Sequence, residues 1–197
     1  MGQAETLVKP GTTVAGGIIR RQMSWDEYLA LPPQPKAEWV AGEAFIMMAP
    51  ARREHIDLAQ KLELLFYHEL TNVAVFREAG YHINDRGRVP DLIVVEPDKD
   101  LDPVWITSQP LVIVEILSPS TRSTDLFEKS DEYLSGGVQQ YWIIDPAGWL
   151  IVRENTEKGW QLLATVDSEH RTAEVAIGNH GIVSLSYDDI FQNLPSQ

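Results

Sequence analysis

The chain of 197 residues contains no cysteine. That absence removes disulfides, zinc–thiolate sites, iron–sulfur clusters and thiol nucleophiles together. Any metal must then be held by oxygen and imidazole ligands, a donor set that favours Mg²⁺ or Mn²⁺. Apolar runs are also short. None approaches the ~20 residues a membrane helix requires, so no membrane partner is expected. Cations are scarce: 16 Lys and Arg against 29 Asp and Glu leave a formal charge of −13. Proteins that hold nucleic acid usually show a basic footprint, because phosphate neutralisation supplies much of the affinity. The charge counts against such a partner, but leaves room for a local patch of Arg52, Arg53, Arg86, Arg88 and Arg122.

The length fits one domain with a substantial core. Met1 to Gly17 has no basic segment followed by an apolar one, so it does not read as a signal peptide. The expected division is a flexible leader over 1–22 and a single domain over 23–197. A chain without cysteine is compatible with the cytoplasm, the expected location.

Ser24, with Glu27 three residues on, predicts a capping box and a short helix to about Leu31, stopped by Pro32 and Pro33. Ala37 to Val40 and Glu43 to Met48 flank Ala41-Gly42 as a hairpin, with Glu38 and Val40 on one strand face. Apolar positions at Ile56, Ala59, Leu62, Leu65, Phe66 and Leu70 predict a helix over Arg53 to Leu70. Strands follow at Val73–Phe76, Leu92–Val95 and Leu111–Leu117, with a polar turn at Asn84 to Gly87 and a loop from Pro97 to Pro110. Thr124 reads as the cap of a helix over Asp125 to Ser135, and Gly136-Gly137 as its stop. Tyr141–Ile144 is a buried strand. Leu150–Arg153 and Trp160–Thr165 form a hairpin extension, and a short helix starts near Tyr187. The order predicts an α/β fold, a mixed β-sheet flanked by helices.

Within this frame, Leu111 to Leu117 is apolar except for Glu115, and reads as buried on both faces. An unpaired carboxylate is costly there, so Glu115 needs a partner. Asp91 opens the neighbouring strand after Pro90. Lys129 shares a helical stripe with Leu126 and Tyr133, aimed at the strand that carries Glu115. Two carboxylates converging with a lysine suggest a divalent metal and metal-assisted phosphodiester hydrolysis. The bland alternatives are a structural salt bridge for Glu115, a turn pair for Pro90-Asp91, and a lysine that snorkels to water.

Several blocks stand in order: Trp25-Asp-Glu-Tyr-Leu29, Glu38-Trp-Val-Ala-Gly-Glu43, Pro90-Asp91, Glu115-Ile-Leu-Ser-Pro-Ser-Thr121, Asp125 with Lys129 and Tyr133, Gly137-Val138, and Tyr141-Trp-Ile-Ile-Asp-Pro146. Together they resemble the Uma-type restriction endonuclease family, a bacterial group placed in the PD-(D/E)XK nuclease superfamily. The resemblance implies a restriction-endonuclease-like core and Mg²⁺-dependent cleavage of DNA. Asp91, Glu115 and the main-chain carbonyl of Ile116 would be the metal ligands, and Glu38 an additional acid at the site. Where that motif expects a lysine two residues after Glu115, this chain has Leu117. The resemblance implies that the lysine has moved to the next helix as Lys129.

His55, at the start of its helix, is expected either to assist this site or to be a capping histidine. Ser118, Ser120 and Thr121 lack a nearby histidine and a nucleophile elbow, so they read as turn formers. His82 and Asp145 read as structural, and His68, His170 and His180 show no ligand spacing. A homodimer is expected for cutting both strands, with Trp149 and Trp160 as exposed interface residues. The rival to an enzyme is a non-catalytic or regulatory binding module that retains the nuclease fold.

Overall fold

The computed structural model describes residues 13–15, 17–32, 34–48, 50–97, 105–192 and 194. The chain starts with two short strands, β1 (Thr13–Ala15) and β2 (Ile18–Gln22), which pair antiparallel. Helix α1 (Trp25–Leu29) has the expected capping box, with Ser24 and Glu27 exchanging hydrogen bonds. Strands β3 (Ala37–Val40) and β4 (Glu43–Met47) meet at Ala41-Gly42. Both turn residues have positive φ, 49° and 91°. That is the type I′ geometry whose twist matches a two-residue hairpin.

Helix α2 (Arg53–Glu69) buries Leu58, Ala59, Leu62 and Phe66. It is followed by β5 (Ala74–Arg77), β6 (Gly80–Ile83), β7 (Arg86–Arg88), β8 (Leu92–Val95), β9 (Trp105–Ile106) and β10 (Val112–Ile116). A π-helical turn over Thr124–Glu128 leads directly into α3 (Lys129–Ser135). The remainder is β11 (Gln140–Asp145), β12 (Trp149–Thr156), β13 (Gly159–Val166), β14 (Thr172–Ala176), β15 (Ile182–Ser186) and α4 (Tyr187–Phe191).

Where one mixed sheet is expected, the chain builds two, plus a small hairpin. The first runs β1-β2-β4-β3-β7-β6-β9, and the second β13-β12-β11-β10-β8-β5. Each is antiparallel except for one parallel pair, β6 with β9 and β10 with β11. Strands β14 and β15 pair only with each other. The second sheet has a different core on each face. Val112, Val114 and Ile116 join Leu58, Leu62, Phe66 and Trp142 on the α2 side. Ile113 and Leu117 join Tyr133, Tyr141, Tyr81 and Ile106 on the other, between the two sheets. Period-two alternation therefore sends Glu115 into the space between the sheets. On the outer face of the first sheet, Gly87 lets α1 pack closely: a Cβ on it would lie 2.7 Å from the Trp25 ring.

Several expectations need correction. The span expected as a flexible leader contains β1 and β2, and β2 is hydrogen-bonded to β4; residues 1–12 lie outside the described residues. The polar stretch at Asn84 is the tip of a hairpin between β6 and β7. Those strands have four and three residues, too short for a hydrophobic period to stand out. The Pro97–Pro110 loop includes β9, with 98–104 outside the described residues. Thr124 is not a cap but the first residue of the π turn. The pair β12 and β13 continues the second sheet through β11 and is not an appended extension. The C-terminal hairpin is β14–β15, two short strands in which buried Val175, Val183 and Leu185 alternate with exposed or half-buried positions, a pattern that sequence reading missed. Among the described residues, no helix is long and apolar enough to cross a membrane.

Candidate active site

The site lies where β3 and β7 of the first sheet face β8, β10 and α3. Ladder pairing sets Val114 opposite Leu92, so the next positions, Glu115 and Asp91, fall side by side on neighbouring antiparallel strands. The Ile116 N–H donates to Asp91 Oδ2 at 2.7 Å, which locks the carboxylate against β10. Asp91 Oδ1 faces two cationic or basic groups: Lys36 Nζ at 3.0 Å and His55 Nε2 at 3.2 Å. His55, on the first turn of α2, thus reaches the site. Lys36, just ahead of β3, stands out by no motif and is missed by sequence reasoning.

Lys129 is 3 % exposed. Its Nζ lies 2.9 Å from Glu115 Oε1, 2.9 Å from Glu38 Oε1 and 3.1 Å from Asp125 Oδ1. The π turn presents Asp125 one turn before Lys129 and on the same side. Tyr133, on the stripe shared with Lys129, donates its hydroxyl to Glu115 Oε1 at 2.8 Å. Behind Glu38 stands Arg88, 2 % exposed, which donates to Glu38 Oε2 at 3.0 Å. The other edge of its guanidinium makes a two-bond fork with Glu132 on α3, both bonds 2.7 Å. Glu38 Oε1 also accepts the Val89 N–H at 3.2 Å. Sequence reasoning counted Arg88 in a basic patch rather than in the interior, and missed Glu132. The available signal was an arginine placed in a short strand leading into Val89-Pro90.

Charge decides which of these carboxyls ionise. Burial opposes ionisation of Glu38, but Lys129, Arg88 and Lys36 outweigh it and bring its pKa down to about 2. Burial likewise opposes Asp91, and Lys36, His55 and the Ile116 N–H hold it below the ordinary carboxylate range. At Glu115 burial wins. With Asp125 and Asp91 adding repulsion against the pull of Lys129, its pKa rises to about 8. Lys129 itself is disfavoured by burial, yet its three carboxylates raise it well above the ordinary lysine value. The cluster holds more carboxyls than full cations, and Glu115 is the carboxyl whose pKa this crowding and burial raise.

Glu38, Asp91, Glu115, Lys129 and Ile116 are therefore brought together in one buried cluster. Leu117, at the position where the resemblance led one to expect a lysine, belongs to the apolar cluster of Tyr133 and Tyr141. The expected basic patch does not exist as a free surface. Arg88 is interior, and Arg86 and Arg122 face Glu132 and Asp145. Arg52 and Arg53 stay exposed at the start of α2, beside Glu54 and Asp57. Trp149 and Trp160 are half-buried rather than exposed. Trp160 donates to the Ser130 carbonyl at 2.9 Å, and Arg122 sits over the Trp149 ring.

Ser118 bonds Ser120 and Thr121 in a turn, as expected. His82 stacks on Trp25, Asp145 accepts the Ala147 N–H, and His170 pairs with Asp167. His180 is buried between Glu96 and the Thr71 carbonyl, away from the cluster.

A divalent cation suits the donor types present. Asp91 and Glu115 are hard oxygen donors, and Mg²⁺ binds through few carboxylates while keeping several waters. Among the described residues, no group of three or more His, Asp or Glu is arranged to hold a metal. Protein cations stand at both carboxylates: Lys36 and His55 against Asp91, Lys129 against Glu115.

Comparison with known proteins places this geometry. No curated protein matches the chain. Among solved structures, the fold is similar to a protein from Anabaena variabilis described as a "putative nuclease" of the DUF820 family. The two share 22 % identity at a TM-score of 0.69, over 86 % of this chain and 98 % of that one. A family model described as "Putative restriction endonuclease" matches residues 25–182, which include every residue of the cluster. With that match extending over most of its length, the chain belongs to the Uma2 family.

Proposed function

We propose that the protein is a Mg²⁺-dependent endonuclease that hydrolyses phosphodiester bonds in DNA, built on a restriction-endonuclease-like core. The observation that carries this reading is the adjacency of Asp91 and Glu115 on β8 and β10, with Lys129 2.9 Å from Glu115. Asp91, Glu115 and the Ile116 carbonyl would hold the metal, with Mn²⁺ as a substitute. When bound, Mg²⁺ supplies Lewis acidity at the phosphate and a more acidic water.

The remaining residues bind, orient and balance charge. Ile116 and Tyr133 fix the two carboxylates through hydrogen bonds of 2.7 and 2.8 Å. Glu38 and Asp125 keep Lys129 protonated and in place. Arg88 holds Glu38 from behind, anchored in turn by Glu132. As a ligand Glu115 would have to be ionised, so a metal would bind more tightly as pH rises towards 8.

The test is nicking of supercoiled plasmid by purified protein with Mg²⁺ or Mn²⁺, beside Asp91→Asn. Wild-type nicking that falls at least about a hundredfold in a folded Asp91→Asn variant supports the enzyme. Undiminished nicking by Asp91→Asn removes the assignment. A second reading rests on the full pairing of these carboxylates with protein cations: a binding module that keeps the nuclease fold. DNA or metal binding without cleavage in the same experiment favours it.

A further inference from the structure

The two lysines of the cluster differ in what they can still do. Lys129 is surrounded. Three carboxylate oxygens lie within 3.1 Å of its Nζ, one of them, Glu115 Oε1, accepting a hydrogen bond, and its side chain is 3 % exposed. Enclosed in this way, Lys129 could meet a substrate phosphate only by giving up one of those carboxylates. Lys36 is held more loosely. Its side chain is 19 % exposed, and its close partner is Asp91 at 3.0 Å; the half-exposed Glu78 lies farther off at 3.9 Å. His55 approaches the same Asp91 oxygen at 3.2 Å. Lys36 immediately precedes β3, so its stem is anchored beside Glu38 while its Nζ stands against Asp91.

Accordingly, we infer that Lys36 is the substrate-facing cation of this site, occupying the cation's place at Asp91 in the resting protein and turning to a DNA phosphate once a divalent cation binds. The inference rests on the metal-dependent nuclease reading and assigns its phosphate contact. Lys36 and a divalent cation cannot both sit against Asp91 Oδ1, because like charges a few ångströms apart repel strongly in a partly buried setting. Lysine suits the exchange, being a point charge on a flexible stem. Lys129 is then a positioning residue that sets Glu38, Glu115 and Asp125.

Two measurements test this with intact protein. The first is Mn²⁺ titration by calorimetry for wild type, Lys36→Met, Lys36→Gln and, as a control, Lys61→Met. Lys61 donates to the Ile190 and Gln192 carbonyls, outside the site. Removal of a competing charge should tighten Mn²⁺ binding in both Lys36 variants by about tenfold or more. Lys61→Met should match wild type. Equal or weaker binding in the Lys36 variants, with binding in wild type intact, overturns this inference and leaves the metal reading standing. No binding by any of the folded proteins overturns both.

The second measurement is duplex binding by fluorescence anisotropy in Ca²⁺ across a salt series. Lys36→Met should weaken binding for every duplex tested and flatten the slope of log K against log salt by about one. Lys36→Arg should restore the slope. A slope unchanged in Lys36→Met overturns the phosphate assignment.

Discussion

The two faces of β10 are built from one strand by opposite rules. On the α2 side, Val112, Val114 and Ile116 meet Leu58, Leu62, Phe66 and Trp142, all essentially inaccessible to solvent. Stability there comes from apolar area removed from water, and it is indifferent to pH. On the inter-sheet side, Ile113 and Leu117 bracket Glu115, and around that carboxylate the packing is charged. There each group is tolerable only because of the next: Glu115 needs Lys129, Lys129 needs Glu38 and Asp125, and Glu38 needs Arg88. Replacing a buried ion cluster by apolar residues is often neutral or stabilising, whereas removing one member is severe. The comparison thus separates a face that makes the protein stable from a face whose charges are tolerated only through one another.

The largest effects should come from breaking each face once. Leu62→Ala, at a site with no exposure, should cost about 2–5 kcal/mol through lost burial and a residual cavity. Lys129→Met should cost about 3–5 kcal/mol, because it leaves three buried carboxylates without their shared cation. The two losses are of similar size and differ in pH response. As pH falls from 8 to 4.5, the orphaned carboxylates of Lys129→Met can take protons, so its deficit relative to wild type should shrink. The deficit of Leu62→Ala should stay constant. Urea denaturation at both pH values measures this. A constant Lys129→Met deficit would mean that the cluster is not what that lysine stabilises.

An intermediate effect is expected in the wild-type pH profile. Glu38 falls from the ordinary 4.5 to about 2, so its contribution is present above 4.5 and lost as pH drops towards 2. Asp91, also depressed, acts in the same direction. Glu115 is raised from 4.5 to about 8, so its contribution is full below 4.5 and declines as pH rises towards 8. From these three groups, stability should peak near pH 4.5 and fall on both sides. A melting temperature that climbs steadily from pH 5 to pH 8 would show that Glu115 is ionised in the folded protein.

The same contrast explains what could be read from the sequence. The α2 face was legible, since helical spacing from Ala59 to Leu70 and the apolar run of β10 each announce a core, although Ile56 on the same spacing is exposed. Glu115 and Lys129 were legible as violations of those patterns, a charge in an apolar strand and a lysine on a core-facing stripe. The stripe also named Tyr133, which touches Glu115. What stayed hidden was long-range. Lys36, Arg88 and Glu132 are ordinary charged residues in sequence, and only the closure of one sheet over the other buries them or brings them to the site. The first sheet was not recognised as a separate layer for a related reason: β6, β7 and β9 are two to four residues long, and they are strands because of their neighbours rather than their own pattern.

The smallest change in stability should come from the residue most central to the proposed chemistry. Glu115→Gln keeps the shape of the side chain and fixes it in the neutral form that the site already favours below about pH 8. The amide oxygen can still accept from Lys129 Nζ and the Tyr133 hydroxyl, the two contacts made by Oε1. At pH 4.5 the variant should therefore lie within about 1 kcal/mol of wild type, the scale of one exchanged hydrogen bond. Because glutamine does not titrate, the decline in stability between pH 4.5 and 8 should flatten, and by pH 8 the variant should equal or exceed wild type. Cleavage should be lost over the same range, since an amide is a far poorer ligand than a carboxylate for a hard divalent cation. Melting curves across that interval decide the matter. A variant that is strongly destabilised at pH 4.5 would mean that the Glu115 carboxylate is ionised and structural, which would place the site with the stabilising face rather than apart from it.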